Sequence, residues 1–270
     1  MQRVVIIGAG RLGMVMGSGI KRGVPDVRLR FVDATPQGRD RARQRLRAEA
    51  DDVYEPAAGD LTLLTMPPEA FPDFAATQDR PAIPDVTVVS LMAGVRLGTL
   101  TDGLRTHQVI RGMTNIAAQV GKAVTVLAPD PAATAPAKAL AAKILSGVGS
   151  LVTVADEDAL DAATALAGGG TAFVAYFADT LMTFATHAGF SSAQARTMTL
   201  GLLTGTADLI ERLNTTPADV YEPVLTPGGT TTQGLELLRE QQWQEALRSA
   251  LERSAARSRE IGGEVDGLMR

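Results

Sequence analysis

Val4-Val5-Ile6-Ile7-Gly8-Ala9-Gly10-Arg11-Leu12-Gly13 is the stretch on which the fold turns. Four apolar residues in a row make a short strand buried on both faces, as in a parallel sheet. A G-x-G-x-x-G run follows without a gap. In that spacing the first glycine makes a tight turn, the second lets the backbone approach a pyrophosphate, and the third allows close helix packing. The apolar periodicity from Leu12 to Ile20 supplies a helix whose N-terminus faces the phosphates. Alone the motif is weak; between a strand and a helix it points to dinucleotide binding. Gly8, Gly10, Arg11, Leu12 and Gly13 are therefore candidate cofactor residues.

Val27 to Val32 reads as the second strand and ends at Asp33, 20 positions after Gly13. A carboxylate there accepts bonds from the adenosine ribose hydroxyls and repels a 2′-phosphate. Asp33 followed by Ala34 thus favours NADH over NADPH. Against this stand Arg39, Arg41, Arg43, Arg45 and Arg47. Spaced by two, they spread around a helix and read as a solvated basic surface, with only Arg39 and Arg41 able to swing toward the adenosine.

Further buried-strand runs follow at Asp60 to Thr65, Val86 to Ser90, Gln108 to Gly112, Ala123 to Leu127 and Leu151 to Val154, with an Ala-rich packing helix over Ala132 to Ser146. Strands alternating with helices predict an α/β fold, a doubly wound Rossmann-type parallel sheet over residues 1–155. Pro67-Pro68 stops the Asp60 to Thr65 strand at the end where such sheets hold ligands. From Asp156 the strand patterns vanish, and helical periodicity runs almost to Arg270, so residues 156–270 are expected to form an all-α domain. Thr171 to His187 is apolar on most faces, and Thr197 to Ile210 repeats small residues at close-packing positions. Helices of that kind must be buried, and a second subunit is the expected cover.

Composition narrows the chemistry. The chain has 270 residues, 45% of them hydrophobic and 21% charged, with a net charge of -4. That balance disfavours nucleic acid, which needs concentrated Lys and Arg. No apolar run approaches the roughly 18 residues of a membrane span, and Met1 leads directly into a strand, so a cytoplasmic protein is expected. The absence of cysteine removes thiolate chemistry and cysteine-ligated zinc. With two histidines and no carboxylate set at ligand spacing, no metal site is expected.

The second informative stretch is Tyr221-Glu222-Pro223-Val224-Leu225-Thr226-Pro227-Gly228-Gly229-Thr230-Thr231-Thr232, ahead of a helical run to Glu240. Two glycines after a proline let consecutive amides converge, and the helix start adds roughly half a positive charge. The result is either a cup for a small carboxylate or an ordinary capped loop.

Thr226 to Thr231, Gly234-Leu235-Glu236 and the terminal Arg257-Ser258-Arg259-Glu260 together resemble the C-terminal signature of the pyrroline-5-carboxylate reductase family. Other landmarks recur in order. Ser90-Leu91-Met92-Ala93-Gly94 resembles the family's Ser-x-x-Ala-Gly turn, which lies beside the nicotinamide. Arg111-Gly112-Met113-Thr114-Asn115 resembles its Arg-x-Met-(Pro or Thr)-Asn segment. The resemblance implies NAD(P)H as cofactor and adds Thr65, Met66, Pro68, Met92, Ala93, Gly94 and Asn115 to its site, with Asn115 on the carboxamide. It also implies a helical dimerisation domain with interleaved subunits, sometimes assembled further into decamers. Departures are visible: Met66-Pro67-Pro68 replaces Val-Lys-Pro, Asp33-Ala34 replaces an Asn-Arg pair common in bacterial members, and Thr171 and Phe173 replace proline and tyrosine near the imine pocket.

The resemblance implies reduction of 1-pyrroline-5-carboxylate to proline by hydride transfer to a cyclic imine. Gly229, Thr230 and Thr231 amides are then expected to hold the substrate carboxylate, and the Thr231 hydroxyl to meet the ring nitrogen. That hydroxyl is too weak an acid to ionise near neutrality, so it orients while water supplies the proton. Two alternatives stay open: a reductase of a six-membered or modified cyclic imine, motivated by Pro67, Thr171 and Phe173, and a nucleotide-binding protein without catalysis.

Overall fold

In the computed structural model, which describes residues 1–77 and 86–270, the chain gathers into two compact units, Met1–Thr171 with Leu251–Arg270, and Ala172–Ala250. The first unit carries β1 (Gln2–Ile7), α1 (Arg11–Gly23), β2 (Val27–Val32), α2 (Pro36–Leu46), β3 (Glu49–Asp51), β4 (Leu61–Leu64), α3 (Phe71–Ala76), β5 (Thr87–Ser90), α4 (Leu97–Leu104), β6 (Val109–Met113), β7 (Ala123–Pro129), α5 (Ala135–Ser146) and β8 (Gly149–Thr153). The strands form one sheet in the order β3-β2-β1-β4-β5-β6-β7-β8. The order reverses beside β1, between β2 and β4, which creates the crevice where doubly wound sheets hold ligands.

The α/β expectation holds, with one correction. β3 through β6 are parallel, but β7 pairs antiparallel with β6, and β8 runs with β7. Only residues 114–122 join β6 to β7. A parallel crossover takes roughly a dozen residues or more, so this short link turns the chain back. β3 is the strand that sequence did not signal, because Glu49-Ala50-Asp51 contains no apolar run.

Alternate residues of β1 feed opposite faces of the sheet. Val4 and Ile6 join Met16 and Ile20 of α1 and Phe31 of β2 in one core cluster. Val5 and Ile7 join Leu64, Phe71, Leu100 and Val265 in the other. Full burial of such a side chain contributes about 1.5–3 kcal/mol. Val265 belongs to the last helix of the chain, so the C-terminus returns to this unit. α6 (Ala159–Ala163) and a π-helical turn at Thr164–Gly168 also stay here, where Leu160 and Ala167 pack on Val126 and Ala128. The compact units therefore divide the chain later than residue 155, and at two places.

The second unit is helical. α7 (Gly170–His187) enters it, α8 (Ser192–Arg212), α9 (Pro217–Tyr221) and α10 (Thr230–Glu240) lie within it, and α11 (Trp243–Leu268) leaves it. Ser191 and Gln194 form a reciprocal capping box that starts α8. Tyr176, Phe184, Leu202 and Leu209 are exposed on α7 and α8. Among the described residues no helix is long and apolar enough to cross a membrane, and no group of three or more acidic or histidine side chains is placed to hold a metal ion.

Candidate active site

The first site is a cavity of about 780 Å³ at the reversal beside β1. Gly8, Gly10, Asp33, Thr65 and Met66, all expected in the site, line it together with Tyr54, Pro67 and Phe74. Gly8 has φ +98°, a conformation that a side chain rarely adopts. A Cβ on Gly13 would stand 1.9 Å from the Gly8 carbonyl and 2.7 Å from Thr65 Oγ1, so only glycine lets α1 pack this close. Thr65 Oγ1 is bonded to the carbonyl oxygens of Ile7 and Gly8, 2.9 Å from each, and so pins the turn.

Gly10 caps α1 with no side chain to satisfy the first-turn amides. Those orphan donors, with the open space over Gly10, fit a phosphate group. Leu12 packs into the core instead of lining the cavity, and Arg11 lines a separate cavity beyond Gly10. Pro68 opens a short 3₁₀ turn while Pro67 forms the wall.

Asp33 is more engaged than its spacing suggested. Its Oδ2 accepts from the Ala9 amide at 2.7 Å, and its Oδ1 accepts from the Thr35 amide at 2.9 Å and hydroxyl at 2.6 Å. Burial pushes its pKa up, but the Thr35 hydroxyl, the two amides and nearby Arg41 outweigh that and hold it below the usual aspartate value. The carboxylate ties the glycine loop to β2 and keeps lone-pair capacity for a ribose hydroxyl. Tyr54 and Phe74, whose ring centroids are 5.7 Å apart, add an aromatic wall that was not read from sequence. Tyr54 and Thr62 share a hydrogen bond at 2.9 Å. Burial drives the Tyr54 phenol up to about 12.

The residues expected on the nicotinamide side are packed as follows. Met92 is buried in the core. Gly94, at φ +77°, is packed against α11: a Cβ there would stand 2.3 Å from the Ser258 carbonyl oxygen. Ala93 between them is half-buried. Asn115 spends both ends of its amide within the protein, donating to the Ala167 carbonyl at 2.8 Å and accepting from the Ala117 amide at 3.0 Å. It ties the end of β6 to the π-helical turn. Arg111 is buried between Glu157 and Asp161, 3.1 Å from each.

The second site is the start of α10. Gly228 has φ +72°, and Gly229 caps the helix without a side chain. The Gly229 amide departs from expectation, because it donates to the Thr226 carbonyl at 2.8 Å and closes the turn. Thr232 Oγ1 donates to the same carbonyl at 2.8 Å. The first-turn amides at Thr230 and Thr231 have no helical acceptor, and the Thr231 side chain is exposed beside them.

Comparison with known proteins bears on both sites. The chain is 31% identical over 222 residues to pyrroline-5-carboxylate reductase of Synechocystis, covering 81% of each. It is 30% identical over 271 residues to the pyrroline-5-carboxylate reductase of Methanosarcina acetivorans, covering 97% of this chain and 98% of the relative. The chain belongs to the pyrroline-5-carboxylate reductase family. Residues 157–261 match the family model for pyrroline-5-carboxylate reductase dimerisation. The fold matches that of Plasmodium falciparum pyrroline carboxylate reductase solved with NADP bound, with a TM-score of 0.85 at 18% identity over 96% of this chain and 99% of that one. As a member of the pyrroline-5-carboxylate reductase family, the chain has its glycine turn after β1 and a glycine-capped start to α10. The residues that sequence reasoning missed, Tyr54 and Phe74, sit on a loop and a six-residue helix where no motif marks them.

Proposed function

We propose that the protein reduces 1-pyrroline-5-carboxylate to L-proline with NAD(P)H. The observation that carries this reading is the start of α10, where Gly229 caps the helix with no side chain and leaves the Thr230 and Thr231 amides to an anion. A small carboxylate satisfies those donors and gains from the helix dipole. The Thr231 hydroxyl orients the ring nitrogen and does not ionise, since its acidity is far too weak. The reduced nicotinamide supplies the hydride, and the work of the protein is positioning.

On the cofactor side, the first-turn amides of α1 receive the pyrophosphate. Asp33 accepts from a ribose hydroxyl with its remaining lone pairs, which supports use of NADH. Residues 156–270 serve as the dimerisation and substrate domain. A second copy of the chain covers the apolar faces of α7 and α8, and the dimer works in the cytoplasm on a small cyclic imino acid.

The test follows loss of reduced-nicotinamide absorbance with 1-pyrroline-5-carboxylate, with NADH and NADPH in parallel and a six-membered imino acid as comparison. Rapid oxidation with the five-membered ring, reduced about a hundredfold by Thr231→Ala, is the expected result. No oxidation by protein that binds the cofactor sinks the reading, and a faster six-membered substrate redirects it.

A further inference from the structure

α2, α5, α8 and α9 each begin on a hydroxyl: the side chains of Thr35, Thr134, Ser191 and Thr216 accept from a first-turn amide of their helices. α10 begins differently. Gly229 has no side chain to offer, and among the described residues nothing accepts from the amides of Thr230, Thr231 and Thr232. The loop ahead of the helix is closed from the other direction. Thr232, the third residue of α10 and half-buried where Thr230 and Thr231 are exposed, donates its hydroxyl to the Thr226 carbonyl at 2.8 Å, six positions back. The Gly229 amide donates to the same oxygen at 2.8 Å.

A carbonyl oxygen has two lone pairs, and these two donors fill the Thr226 acceptor. A threonine hydroxyl near a helix start commonly accepts from a local amide; this one is spent as a donor and takes none of the three. Gly228 supplies the left-handed φ of +72° that the turn requires. A Cβ on Gly229 would stand 2.4 Å from Thr226 Oγ1, so a capping side chain at 229 would have to displace that threonine. We propose that Thr232 is a positioning residue for the substrate: its bond to Thr226 holds the 226–229 turn so that the Thr230 and Thr231 amides stay aligned and unspent for the carboxylate of the cyclic imine. This rests on the reading of the start of α10 as the carboxylate site. Thr232 acts through the two residues before it. Donors fixed in place before the anion arrives need no reorganisation when it binds.

The test separates carboxylate binding from the chemical step. Thr232→Val keeps the β-branched shape and removes the hydroxyl, whereas Thr232→Ser keeps the hydroxyl. A carboxylate lying away from the reacting carbon is held alike in the ground state and the transition state, so weaker holding reads in KM. In steady-state kinetics of the full-length protein, Thr232→Val is expected to raise KM for 1-pyrroline-5-carboxylate about fivefold, the scale of one hydrogen bond. Its kcat and its KM for the reduced nicotinamide stay within about twofold of wild type. Inhibition by cyclopentanecarboxylate, which carries the carboxylate without the ring nitrogen, weakens by the same factor. Thr232→Ser returns the substrate KM to within about twofold of wild type. Should the valine variant lose the wild-type circular-dichroism spectrum, Thr232→Ala carries the same expectation. A Thr232→Val protein that melts earlier but keeps the substrate KM, one in which both KM values rise together, or one that loses kcat alone overturns the assignment and leaves the carboxylate site standing. Wild type that binds reduced nicotinamide and does not oxidise it with the imine removes that site, and the role of Thr232 with it.

Discussion

Gly94 and Gly262 touch backbone to backbone. A Cβ on Gly94 would stand 2.6 Å from the Gly262 nitrogen, and one on Gly262 would stand 2.4 Å from the Gly94 carbonyl oxygen. The last third of α11 is thereby pressed onto the loop after β5, with Val265 buried among β1, β4 and α3 residues one turn further on. Gly262→Ala forces this contact apart and is expected to cost about 1–3 kcal/mol. Its neighbour Gly263 has open space around the same atom, so Gly263→Ala should be neutral or stabilising by up to about 1 kcal/mol. Thermal unfolding of the two variants side by side decides the matter: equal melting temperatures would mean that the helix is not seated on Gly94.

The buried charge cluster beneath that contact makes the second prediction. Arg111 is 2% exposed, and Asp161 takes both its guanidinium at 3.1 Å and the Ser258 hydroxyl at 2.7 Å. Glu157 also accepts from the Leu97 amide at 3.0 Å, so the cluster joins β6, α6, α11 and the start of α4. Arg111→Leu leaves the buried Asp161 without its guanidinium partner, while Glu157 keeps Arg96 at 3.3 Å, and should cost about 3–5 kcal/mol. Ser258→Ala removes one hydrogen bond and should cost about 1 kcal/mol. Denaturant unfolding of both variants checks the order; a smaller loss for Arg111→Leu than for Ser258→Ala would refute the account.

How far the sequence reached follows from what each element announces. β1 and the glycine turn are legible because an apolar run and a G-x-G-x-x-G spacing are local patterns. The direction of β7 is set by the length of a link, and no periodicity reports it. Asp33 was found by its distance from Gly13, but its engagement with Ala9 and Thr35 depends on loops brought together from separate elements. The same holds for Asn115, which the family resemblance put in the site and whose amide donates to the Ala167 carbonyl, 52 positions away. Spacing by two made the α2 arginines look scattered; in the structure Arg39 and Arg43 are turned to partners and Arg47 ends the helix, which no spacing reports.

Asp33 gives a pH-dependent prediction with a definite sign. Its folded pKa lies below the ordinary value of 3.8, so its ionised form stabilises the fold. That contribution is complete above 3.8 and is lost as pH falls below 3.8 through the folded pKa. Asp33→Asn is expected to lower stability at pH 7 by about 1 kcal/mol, allowing for solvent screening of a half-exposed group. The gap between variant and wild type should narrow below pH 3.8. Melting curves at pH 7 and pH 3 measure it, and a gap that widens on acidification would show that Asp33 does not hold the loop as a carboxylate.

The last prediction concerns the exposed apolar faces of the second unit. Phe184 is 74% exposed and Tyr176 is 78% exposed on α7, two turns apart on one helix. Burying a phenylalanine contributes about 1.5–3 kcal/mol, and a two-fold interface counts each position twice. Phe184→Glu puts a charge where the proposed dimer excludes water, at a cost of several kcal/mol per copy. Each 1.4 kcal/mol is about tenfold in the dimer dissociation constant, so a dimer held at nanomolar strength should become largely monomeric at micromolar concentration. Light scattering after size exclusion reads this directly. A substituted chain that keeps the mass of the wild-type assembly would place the interface elsewhere. A chain that becomes monomeric, while keeping the helical circular-dichroism spectrum of the wild type, would assign assembly to α7.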